Sequence, residues 1–301
     1  MKIFISGGLG FIFSYVTQYF VERGYEVVVI DNCSVGSHPE IIDGTFKLIN
    51  EDFSKDGASR FIVAENPDYI VHAAALTDVD YSIKNPLETL RNNVGCLLNA
   101  FEGARRVKNL KKFLYVATDE VYGECEYKKK EDEILFPRNP YSVSKAVGSL
   151  MRYGFDNTYP ELKDKTAEIR PCNIFGQRQD ITKIMPQIVK SIKEGYSIPL
   201  QDEGEGYREY LYVKNIPPAI ELLLGKGDRT YNLTNNDGFK VKDLIVRIEK
   251  MTGKKVKTHP AVRQGHDRFY RMDNARIKKL GWQPLYNFEQ GLEDYLKLEN
   301  L

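Results

Sequence analysis

The sequence has no excess of charge of either sign, because 43 basic and 42 acidic residues leave a formal net charge of +1. This balance gives no electrostatic reason to expect nucleic acid as a partner. The chain also lacks an apolar run near the ~20 residues of a membrane-spanning helix. Its N-terminus lacks the apolar core and cleavage site of a signal peptide. We therefore expect a cytoplasmic protein that binds neither nucleic acid nor membrane.

Cysteine and histidine are also scarce in this chain. The four cysteines are far apart and form no CxxC pair, so we expect reduced thiols and no disulfides. The four histidines show no HExxH or similar zinc-binding spacing. The sequence therefore predicts no metal site.

Apolar strands alternate with amphipathic helices over the first 173 residues. The predicted strands are Lys2–Ser6, Glu26–Asp31, Phe46–Asn50, Tyr69–Ala73, Phe113–Val116 and Thr166–Ile169. This alternation predicts an α/β fold with a Rossmann-like, doubly wound parallel sheet covered on both faces. From about residue 174 the alternation ends. We expect residues 1–173 to form the sheet and residues 174–301 to form a smaller substrate-binding part packed on it.

A glycine-rich turn separates the first predicted strand from the first predicted helix. Gly7, Gly8 and Gly10 allow a tight turn through which the backbone can approach a pyrophosphate at the helix N-terminus. Asp31 ends the second strand, 21 residues after Gly10. A carboxylate at that place accepts hydrogen bonds from the hydroxyls of the adenosine ribose and repels a 2′-phosphate. The pattern therefore predicts NAD as the cofactor, in preference to NADP.

Phe13 departs from the usual form of this turn, in which a third glycine lets the helix pack closely on the strand. We expect its ring either to push the helix outward or to fill a gap. Binding should survive, because the pyrophosphate contact comes from the earlier glycines. Asp52 and Phe53 follow the third strand and would reach the adenine, unless Asp52 is only a capping residue. We expect cofactor contacts at Gly7, Gly10, Phe11, Ile12, Asp31, Asn32, Asp52, Phe53, Ala73, Ala74, Ala75, Tyr141 and Lys145.

Two acids and a tyrosine–lysine pair form the candidate catalytic group. Asp119 and Glu120 follow Thr118 just after an apolar strand, and Tyr141 and Lys145 lie one helical turn apart. A free tyrosine, with a pKa of about 10, is a poor base at neutral pH. We expect Lys145 and a positive nicotinamide ring to lower that pKa. The alternative interpretations are a helix N-cap followed by a solvated acid, and a surface pair on a helix.

These residues resemble the extended short-chain dehydrogenase/reductase family of nucleotide-sugar enzymes, over roughly Met1 to Pro284. Val71–Ala75, Asn139–Lys145 and Arg170–Gly176 carry the resemblance together with the glycine turn. Within the family, Thr118–Gly123 is similar to the 4,6-dehydratases, above all those acting on dTDP-glucose or UDP-glucose. Asp119 distinguishes the 4,6-dehydratases from other members of the family. The 4-epimerases lack the acid pair, and UDP-glucuronate decarboxylases usually have a serine at the position of Asp119.

The resemblance implies a three-stage reaction on a nucleotide sugar. Tyr141 would take the proton of the C4 hydroxyl as hydride leaves for NAD, with Thr118 sharing that hydroxyl. Glu120 would then remove the C5 proton, while Asp119 protonates the C6 hydroxyl that leaves as water. The returning hydride would give a 4-keto-6-deoxy sugar. This chemistry requires a neutral Asp119 beside a charged Glu120, a split that a desolvated site can impose on neighbouring acids.

The resemblance also implies a nucleotide-sugar site and a homodimer. We expect contacts to the nucleotide sugar at Thr77, Asn173, Lys183, Arg208, Asn232, Arg263 and His266. The planar guanidinium groups of Arg208 and Arg263 suit a diphosphate. Helices Leu87–Arg106 and Tyr141–Thr158 would pair with those of a second copy. The sequence departs from the family at Asp78, Tyr81, Asp202 and Asn215, where His, Arg, Gly and Asp are usual.

Several functions stay open at this point. A 4-epimerase, a UDP-glucuronate decarboxylase and a 5,6-dehydratase that stops before hydride return are alternatives of the same class. A non-catalytic NAD-binding protein is an alternative of another class, for which Phe13 is the only argument. Turnover distinguishes the two classes, because a binding module retains a cofactor and makes no product.

Overall fold

The computed structural model describes residues 1–34, 36–262 and 267–301. The strands in these ranges are, in chain order, β1 Lys2–Ser6, β2 Glu26–Asp31, β3 Lys47–Asn50, β4 Tyr69–His72, β5 Lys112–Val116, β6 Thr166–Pro171, β7 Asn173–Phe175, β8 Ser197–Gln201, β9 Tyr207–Tyr212, β10 Thr230–Leu233, β11 Gly238–Lys240 and β12 Lys257–Ala261. All six strands predicted before residue 174 are present, and their ends differ from the prediction by two residues or fewer.

The helices of the same ranges are α1 Phe11–Glu22, α2 Ser59–Glu65, α3 Val79–Lys84, α4 Pro86–Arg106, α5 Pro140–Thr158, α6 Ile184–Glu194, α7 Ile216–Lys226, α8 Val241–Thr252, α9 Ala275–Leu280 and α10 Phe288–Leu298. Short 3-10 helices include Asp119–Tyr122. Helix α5 begins with a capping box, in which the Asn139 side chain accepts the backbone N–H of Ser142. None of the helices in the described part of the chain is both long enough and apolar enough to cross a membrane.

Seven strands form one parallel sheet in the order β10, β6, β5, β4, β1, β2, β3. Successive residues of a strand face opposite sides of a sheet. In β1, Ile3 and Ile5 belong to the apolar core on one face, and Phe4 belongs to the core on the other. Because both faces are buried, strands read as continuous apolar runs. The predicted α/β fold with a doubly wound parallel sheet is confirmed.

The C-terminal part of the chain contributes to this same sheet. Strand β10 pairs in parallel with β6, and α7 packs against α1 and β5. The remaining strands of this part form a sheet of β11, β9 and β7 and a pair of β12 and β8. Residue 173 therefore does not divide the main sheet from the rest of the molecule, because β10 returns to the sheet from beyond it.

The strand order reverses between β1 and β4, and this point creates a crevice at the carboxyl ends of the strands. Ser6 and His72 are register partners there, and Ser6 Oγ lies 2.7 Å from His72 Nδ1. Burial, and then the charge of Lys145, lower the pKa of His72 to about 3, so this ring is neutral at physiological pH. The neutral pair holds together the two strands from which the glycine turn and the loop after β4 depart.

Candidate active site

A cavity of about 870 Å³ lies beyond the carboxyl ends of the parallel strands. Residues that directly follow β1, β2 and β4 line it, namely Gly7, Asn32 and Ala73. Residues of the C-terminal part, such as Arg208 on β9, line it as well. The cavity therefore joins the predicted cofactor site and the predicted substrate site in one space.

The glycine turn meets the loop after β4 at close range. Gly7 has a φ of +71°, and a Cβ added there would lie 2.8 Å from the backbone nitrogen and Cα of Ala74. Only glycine fits this position without displacing the backbone. Gly10 directly precedes α1, whose N-terminus has no side-chain cap. Free N–H groups at the start of a twelve-residue helix suit a pyrophosphate, so the turn fits a dinucleotide.

Phe13 fills space in the core and does not disrupt the start of α1. Its side chain is 6% exposed and belongs to the apolar core between α1 and the sheet. The close approach occurs instead at Gly8 of the turn, where a Cβ would lie 2.8 Å from Val29 on β2 and 3.0 Å from Thr17 on α1. Thr17 also donates a hydrogen bond of 2.8 Å to the Gly8 carbonyl. The Phe13 ring was expected either to push the helix outward or to fill a gap, and in the structure it fills a gap in the core.

Asp31 ties the end of β2 to the glycine turn. Its carboxylate accepts hydrogen bonds from the backbone of Leu9, at 3.0 Å, and of Cys33, at 2.9 Å. Asp31 and Asn32 both line the cavity. Asp52 and Phe53 line it too, although Asp52 also accepts the backbone N–H of Ser54 as a turn cap. The remaining cofactor residues predicted from sequence that line the cavity are Phe11, Ile12, Ala73, Ala74 and Ala75.

The tyrosine and lysine of α5 are buried at the cavity wall. Tyr141 is 8% exposed and Lys145 is 5% exposed. Lys145 Nζ donates a hydrogen bond of 2.7 Å to the Val116 carbonyl at the end of β5. Burial lowers the pKa of Lys145 to about 8, because the charged ammonium is desolvated. The capping box at Asn139 places both side chains on the first turns of α5.

Burial and the charge of Glu120 raise the pKa of Tyr141 above its ordinary value of about 10, although a hydrogen bond with Thr118 opposes the rise. The protein chain by itself therefore does not supply the lowered tyrosine pKa that the sequence predicted. The Lys145 ammonium is directed at the Val116 carbonyl, which explains its small effect. The prediction also included the positive charge of an oxidised nicotinamide ring, which belongs to the cofactor and not to the protein chain.

The acid pair lies on the 3-10 helix Asp119–Tyr122, which Thr118 caps. Thr118 Oγ1 lies 3.1 Å from Asp119 Oδ1, and Asp119 is 5% exposed. Burial, and then the charge of Glu120, raise the pKa of Asp119 to about 8. Asp119 is therefore mostly protonated at neutral pH and can act as an acid. Thr118, Asp119, Glu120, Tyr141 and Lys145 all line the cavity, so the structure brings all five predicted catalytic residues together.

Asn139 is a site residue that the sequence reasoning did not single out. Its Nδ2 donates a hydrogen bond of 3.0 Å to Glu120 Oε2, and its Oδ1 accepts the backbone N–H of Ser142 at 2.8 Å. One amide thus starts α5 and holds the Glu120 carboxylate. The sequence signal was its place at the head of the stretch Asn139–Lys145, where an N-cap asparagine was recognisable.

The predicted substrate residues Thr77, Asn173, Lys183 and Arg208 line the cavity. Arg208 is held by the backbone carbonyls of Tyr207 and Asp267, and its Cζ lies 4.6 Å from the ring centroid of Tyr270. Lys183 Nζ lies 3.7 Å from Asp78 Oδ2. Arg263 and His266 lie outside the described residues.

Asn232 does not line the cavity, which corrects the prediction that it contacts the substrate. It is fully buried on β10. Its Nδ2 donates to the backbone carbonyls of Lys129 and Asp273, and its Oδ1 accepts the hydroxyl of Tyr122. With both ends of its amide bonded to protein, this side chain serves the structure behind the site.

Tyr210 and Tyr270 also line the cavity, and sequence reasoning missed both. Tyr210 is 2% exposed, and its hydroxyl has no hydrogen-bond partner among the described residues. Tyr270 hydrogen-bonds Asp267 through its hydroxyl, and the charge of Glu120 adds to burial in raising its pKa. In the described part of the chain, no three His, Cys, Asp or Glu side chains are grouped so that they could hold a metal ion.

The family model described as GDP-mannose 4,6 dehydratase matches residues 4–295. The chain therefore belongs to this family of NAD-dependent nucleotide-sugar enzymes, which confirms the resemblance drawn from its motifs. A trifunctional Arabidopsis thaliana protein, named as UDP-glucose 4,6-dehydratase, UDP-4-keto-6-deoxy-D-glucose 3,5-epimerase and UDP-4-keto-L-rhamnose-reductase, is 30% identical over 97% of the chain. The match covers 46% of that protein, so the chain spans about half of its length.

Solved structures of two functions share the fold. A double mutant of a dTDP-glucose 4,6-dehydratase from Streptomyces venezuelae, crystallised with NAD, is 25% identical with a TM-score of 0.91, covering 100% of this chain and 97% of that one. A UDP-glucose 4-epimerase from Thermotoga maritima with UDP-glucose is 28% identical with a TM-score of 0.91, covering 99% and 98%. The glycine turn and Asp31 fit a dinucleotide such as the NAD in the Streptomyces venezuelae structure, and the predicted cofactor, NAD, is confirmed.

Proposed function

We propose that the protein is a nucleotide-sugar 4,6-dehydratase that converts an NDP-hexose of the dTDP- or UDP-glucose type to the NDP-4-keto-6-deoxyhexose. The observation that carries the proposal is the pair Asp119 and Glu120 beside Tyr141 and Lys145. An enzyme that only oxidises and reduces C4 needs the second pair and not the first. Elimination of water needs both an acid and a base at neighbouring carbons.

The cofactor would be held by the glycine turn, by Asp31 and by Lys145. NAD, when bound, supplies a hydride acceptor and donor for the sugar carbons. Tyr141 takes the proton from the C4 hydroxyl, and Thr118, whose side chain interacts with the phenol, orients that hydroxyl. Lys145 keeps its ammonium directed at the Val116 carbonyl at the end of β5, so the charge that stabilises a phenolate would come from the oxidised nicotinamide ring.

Glu120 and Asp119 then divide the elimination between them. Glu120 accepts the C5 proton, which is acidic because C4 carries a carbonyl, and Asn139 fixes the carboxylate in place. Asp119 gives its proton to the C6 hydroxyl, which leaves as water while the C5–C6 double bond forms. A pKa of about 8 keeps Asp119 protonated for this step, as the desolvated site requires.

Residues beyond 173 would mainly hold the nucleotide sugar, while residues 1–173 hold the cofactor and supply the acids and bases. Asn173, the last residue of the first range, would also contact the nucleotide sugar, because its buried Nδ2 has no hydrogen-bond partner among the described residues and it lines the cavity. A buried donor without a partner is costly unless a ligand or water satisfies it. Lys183 and Arg208 supply positive charge on the same wall for a diphosphate.

We propose further that two copies associate through α4 and α5. These helices pack on each other and expose apolar side chains on their outer faces. Leu87 is 68% exposed, Leu98 is 50% exposed and Leu150 is 65% exposed. Exposed leucines on two neighbouring helices favour burial against a second copy.

Mass spectrometry of products tests the function. The purified protein is incubated separately with dTDP-glucose, UDP-glucose, UDP-N-acetylglucosamine and GDP-mannose. Loss of one water from one of them supports dehydration and names both the nucleotide and the sugar. NMR of that product then separates a 4-keto-6-deoxy sugar from a 5,6-ene.

The same experiment distinguishes the alternatives. An isobaric product with inverted C4 indicates a 4-epimerase, which the fold shared with the Thermotoga maritima enzyme keeps as the second candidate. A fifth incubation, with UDP-glucuronate, tests for a decarboxylase, which would release carbon dioxide from it. A bound cofactor with no product from any substrate argues for a binding protein and against the proposal.

A further inference from the structure

The hydroxyl of Tyr122 is the meeting point of three buried side chains behind the acid pair. Tyr122 ends the 3-10 helix that carries Asp119 and Glu120, and it is 3% exposed. Its hydroxyl accepts a hydrogen bond of 2.7 Å from Arg170 Nη1 and donates one of 2.7 Å to Asn232 Oδ1. None of these three residues is among the described residues that line the cavity.

Each partner of Tyr122 is itself held by further buried bonds. Arg170 is 1% exposed, and its Nε donates to Glu168 Oε1 at 2.6 Å. Ser149 of α5 donates to the same Glu168 oxygen at 2.6 Å. Asn232 is anchored by backbone groups of two other segments, as described above. The phenol is therefore bonded to β6 and β10, and through Glu168 to α5, and such fully satisfied networks are rigid.

The other end of the short helix is fixed in a different way. Gly123 directly follows Tyr122 with a φ of +67°, and a Cβ there would overlap the Phe136 carbonyl oxygen. At the opposite end, Thr118 caps the helix and Asn139 holds Glu120. A four-residue 3-10 helix has few hydrogen bonds of its own. The positions of its two acids therefore depend on these anchors.

We propose that Tyr122 is a positioning residue for the elimination step, acting through its two hydroxyl bonds to Arg170 and Asn232. This proposal rests on the function proposed above. Displacement of a catalytic group by about 1 Å costs large factors in rate, so an anchor outside the cavity can control the chemistry inside it. Loss of the hydroxyl should loosen the helix and admit water to Asp119.

The effect should fall on elimination and spare the C4 oxidation. Tyr141 and Lys145 lie on α5, whose N-terminus has its own cap at Asn139. Neither contacts the Tyr122 hydroxyl, whose bonds go to Arg170 and Asn232. Proton removal at C4 therefore does not require the two hydrogen bonds of the Tyr122 hydroxyl. Proton transfer by Asp119 and Glu120 does require them.

Tyr122→Phe tests the proposal, with Tyr231→Phe as the matched control. Tyr231 is a buried tyrosine on β10 beside Asn232, and its hydroxyl bonds to Asp228 at 2.6 Å. With the nucleotide sugar identified by mass spectrometry, Tyr122→Phe should slow water loss at least about tenfold. Its KM, its NAD content and the rate at which NADH absorbance appears should match the wild type. Tyr231→Phe should match the wild type in every one of these.

A second readout does not depend on turnover. The infrared C=O stretch of the protonated Asp119 carboxyl, assigned by its loss in Asp119→Asn, is followed against pH in the NAD-loaded protein. Hydration of Asp119 in Tyr122→Phe should move the midpoint of this titration toward lower pH by about one unit. If the wild type fails to dehydrate any sugar, the proposed function is rejected. The midpoint of the Asp119 titration still tests whether Tyr122 positions the acid pair.

The proposal is overturned if Tyr122→Phe and Tyr231→Phe share one titration midpoint and one ratio of oxidation to elimination. If Tyr122→Phe does not fold, Arg170→Lys replaces it, since a lysine keeps the charge beside Glu168 but loses the planar fork. A wild-type midpoint in Arg170→Lys overturns the proposal equally. If neither variant folds, the network is a requirement of folding and the positioning role is rejected.

Discussion

Asn173 and Tyr210 are register partners on the neighbouring parallel strands β7 and β9, and both line the cavity. Asn173 Nδ2 and the Tyr210 hydroxyl are buried and have no hydrogen-bond partner among the described residues. Parallel register partners direct their side chains to the same face of a sheet. Two adjacent polar groups thus face the cavity, and the proposed nucleotide sugar would satisfy both.

Tyr210→Phe should weaken nucleotide-sugar binding because it removes one of these two groups. One hydrogen bond of this kind contributes about 0.5–1.5 kcal/mol, so KM should rise about three- to tenfold while kcat changes little. Steady-state kinetics measure both constants. Tyr295→Phe, at a buried tyrosine of the core, is the control and should leave KM unchanged. Equal KM values in the two variants would contradict the contact.

Asp119→Asn combined with Glu120→Gln should block water loss and leave the C4 oxidation intact. The amides cannot exchange protons with C5 and the C6 hydroxyl, whereas Tyr141 and Lys145 are unchanged. Mixing the double variant with substrate should give NADH absorbance that does not decay. The sugar should lose two hydrogens by oxidation at C4 and should lose no water. Product formation at the wild-type rate would show that the roles assigned to the acids are wrong.

The free energy of unfolding should depend on pH through Asp119. Its pKa is about 8 in the folded chain against 3.8 for the free group. Between these values the folded state holds more protons than the unfolded state, so stability falls as pH rises through that window. Asp119→Asn removes this loss. The free energy of unfolding of Asp119→Asn, relative to that of the wild type, should therefore increase by up to about 4 kcal/mol between about pH 5 and about pH 9.

Chemical denaturation at several pH values measures this difference. Asp56→Asn, at an exposed aspartate, is the control for the loss of one carboxylate. A constant difference for Asp119→Asn would mean that Asp119 titrates near its ordinary pKa and is not the acid of the site.

Asp78→Asn should strengthen binding of the nucleotide sugar. Asp78 Oδ2 lies 3.7 Å from Lys183 Nζ and competes with a diphosphate for that charge. Asparagine retains the acceptor for the Tyr81 N–H at the start of α3, so the helix cap survives. A partly exposed pair contributes at most about 1 kcal/mol, so the dissociation constant should fall about two- to fivefold. In a Lys183→Met background the same change should have no effect, and calorimetric titration measures both.

Leu98→Glu and Leu150→Glu should break the proposed dimer, since each places a charge in an apolar interface. Light scattering should give the monomer mass of 34.6 kDa for either variant and twice that mass for the wild type. Val246→Glu changes an exposed apolar residue of α8 and should leave the dimer intact. A monomeric wild type at micromolar concentration would reject the interface.

The features that sequence alone predicted depend on neighbours along the chain. The glycine turn, the strand before it and the helix after it lie within about twenty residues, and each has a local signature. The Tyr141–Lys145 spacing is set by the helix itself, and the position of the acid pair is set by the strand that precedes it. The family resemblance added the roles of these residues.

The sequence was less informative where contacts join distant segments. Asn232 looked like a substrate residue, yet it is bonded to Tyr122, 110 residues away, and to two backbone carbonyls. Tyr210 lies in a stretch that resembles the family, Arg208–Val213, but it was not singled out as a site residue, because its place at the cavity follows from the pairing of its strand with that of Asn173. The predicted division at residue 173 missed β10, whose place beside β6 is a pairing of distant strands.

The sequence by itself determined the class of fold and the cofactor and indicated five candidate catalytic residues, because hydrophobic period, turn chemistry and helical spacing are local properties. The resemblance to the dehydratases required a neutral Asp119, and only the tertiary structure supplies the physical cause. The raised pKa of Asp119 comes from burial and from the charge of Glu120, and burial exists only once the sheet, α5 and the C-terminal part enclose the site. Desolvation is a property of the packed molecule, so no pattern of residues along the chain contains it.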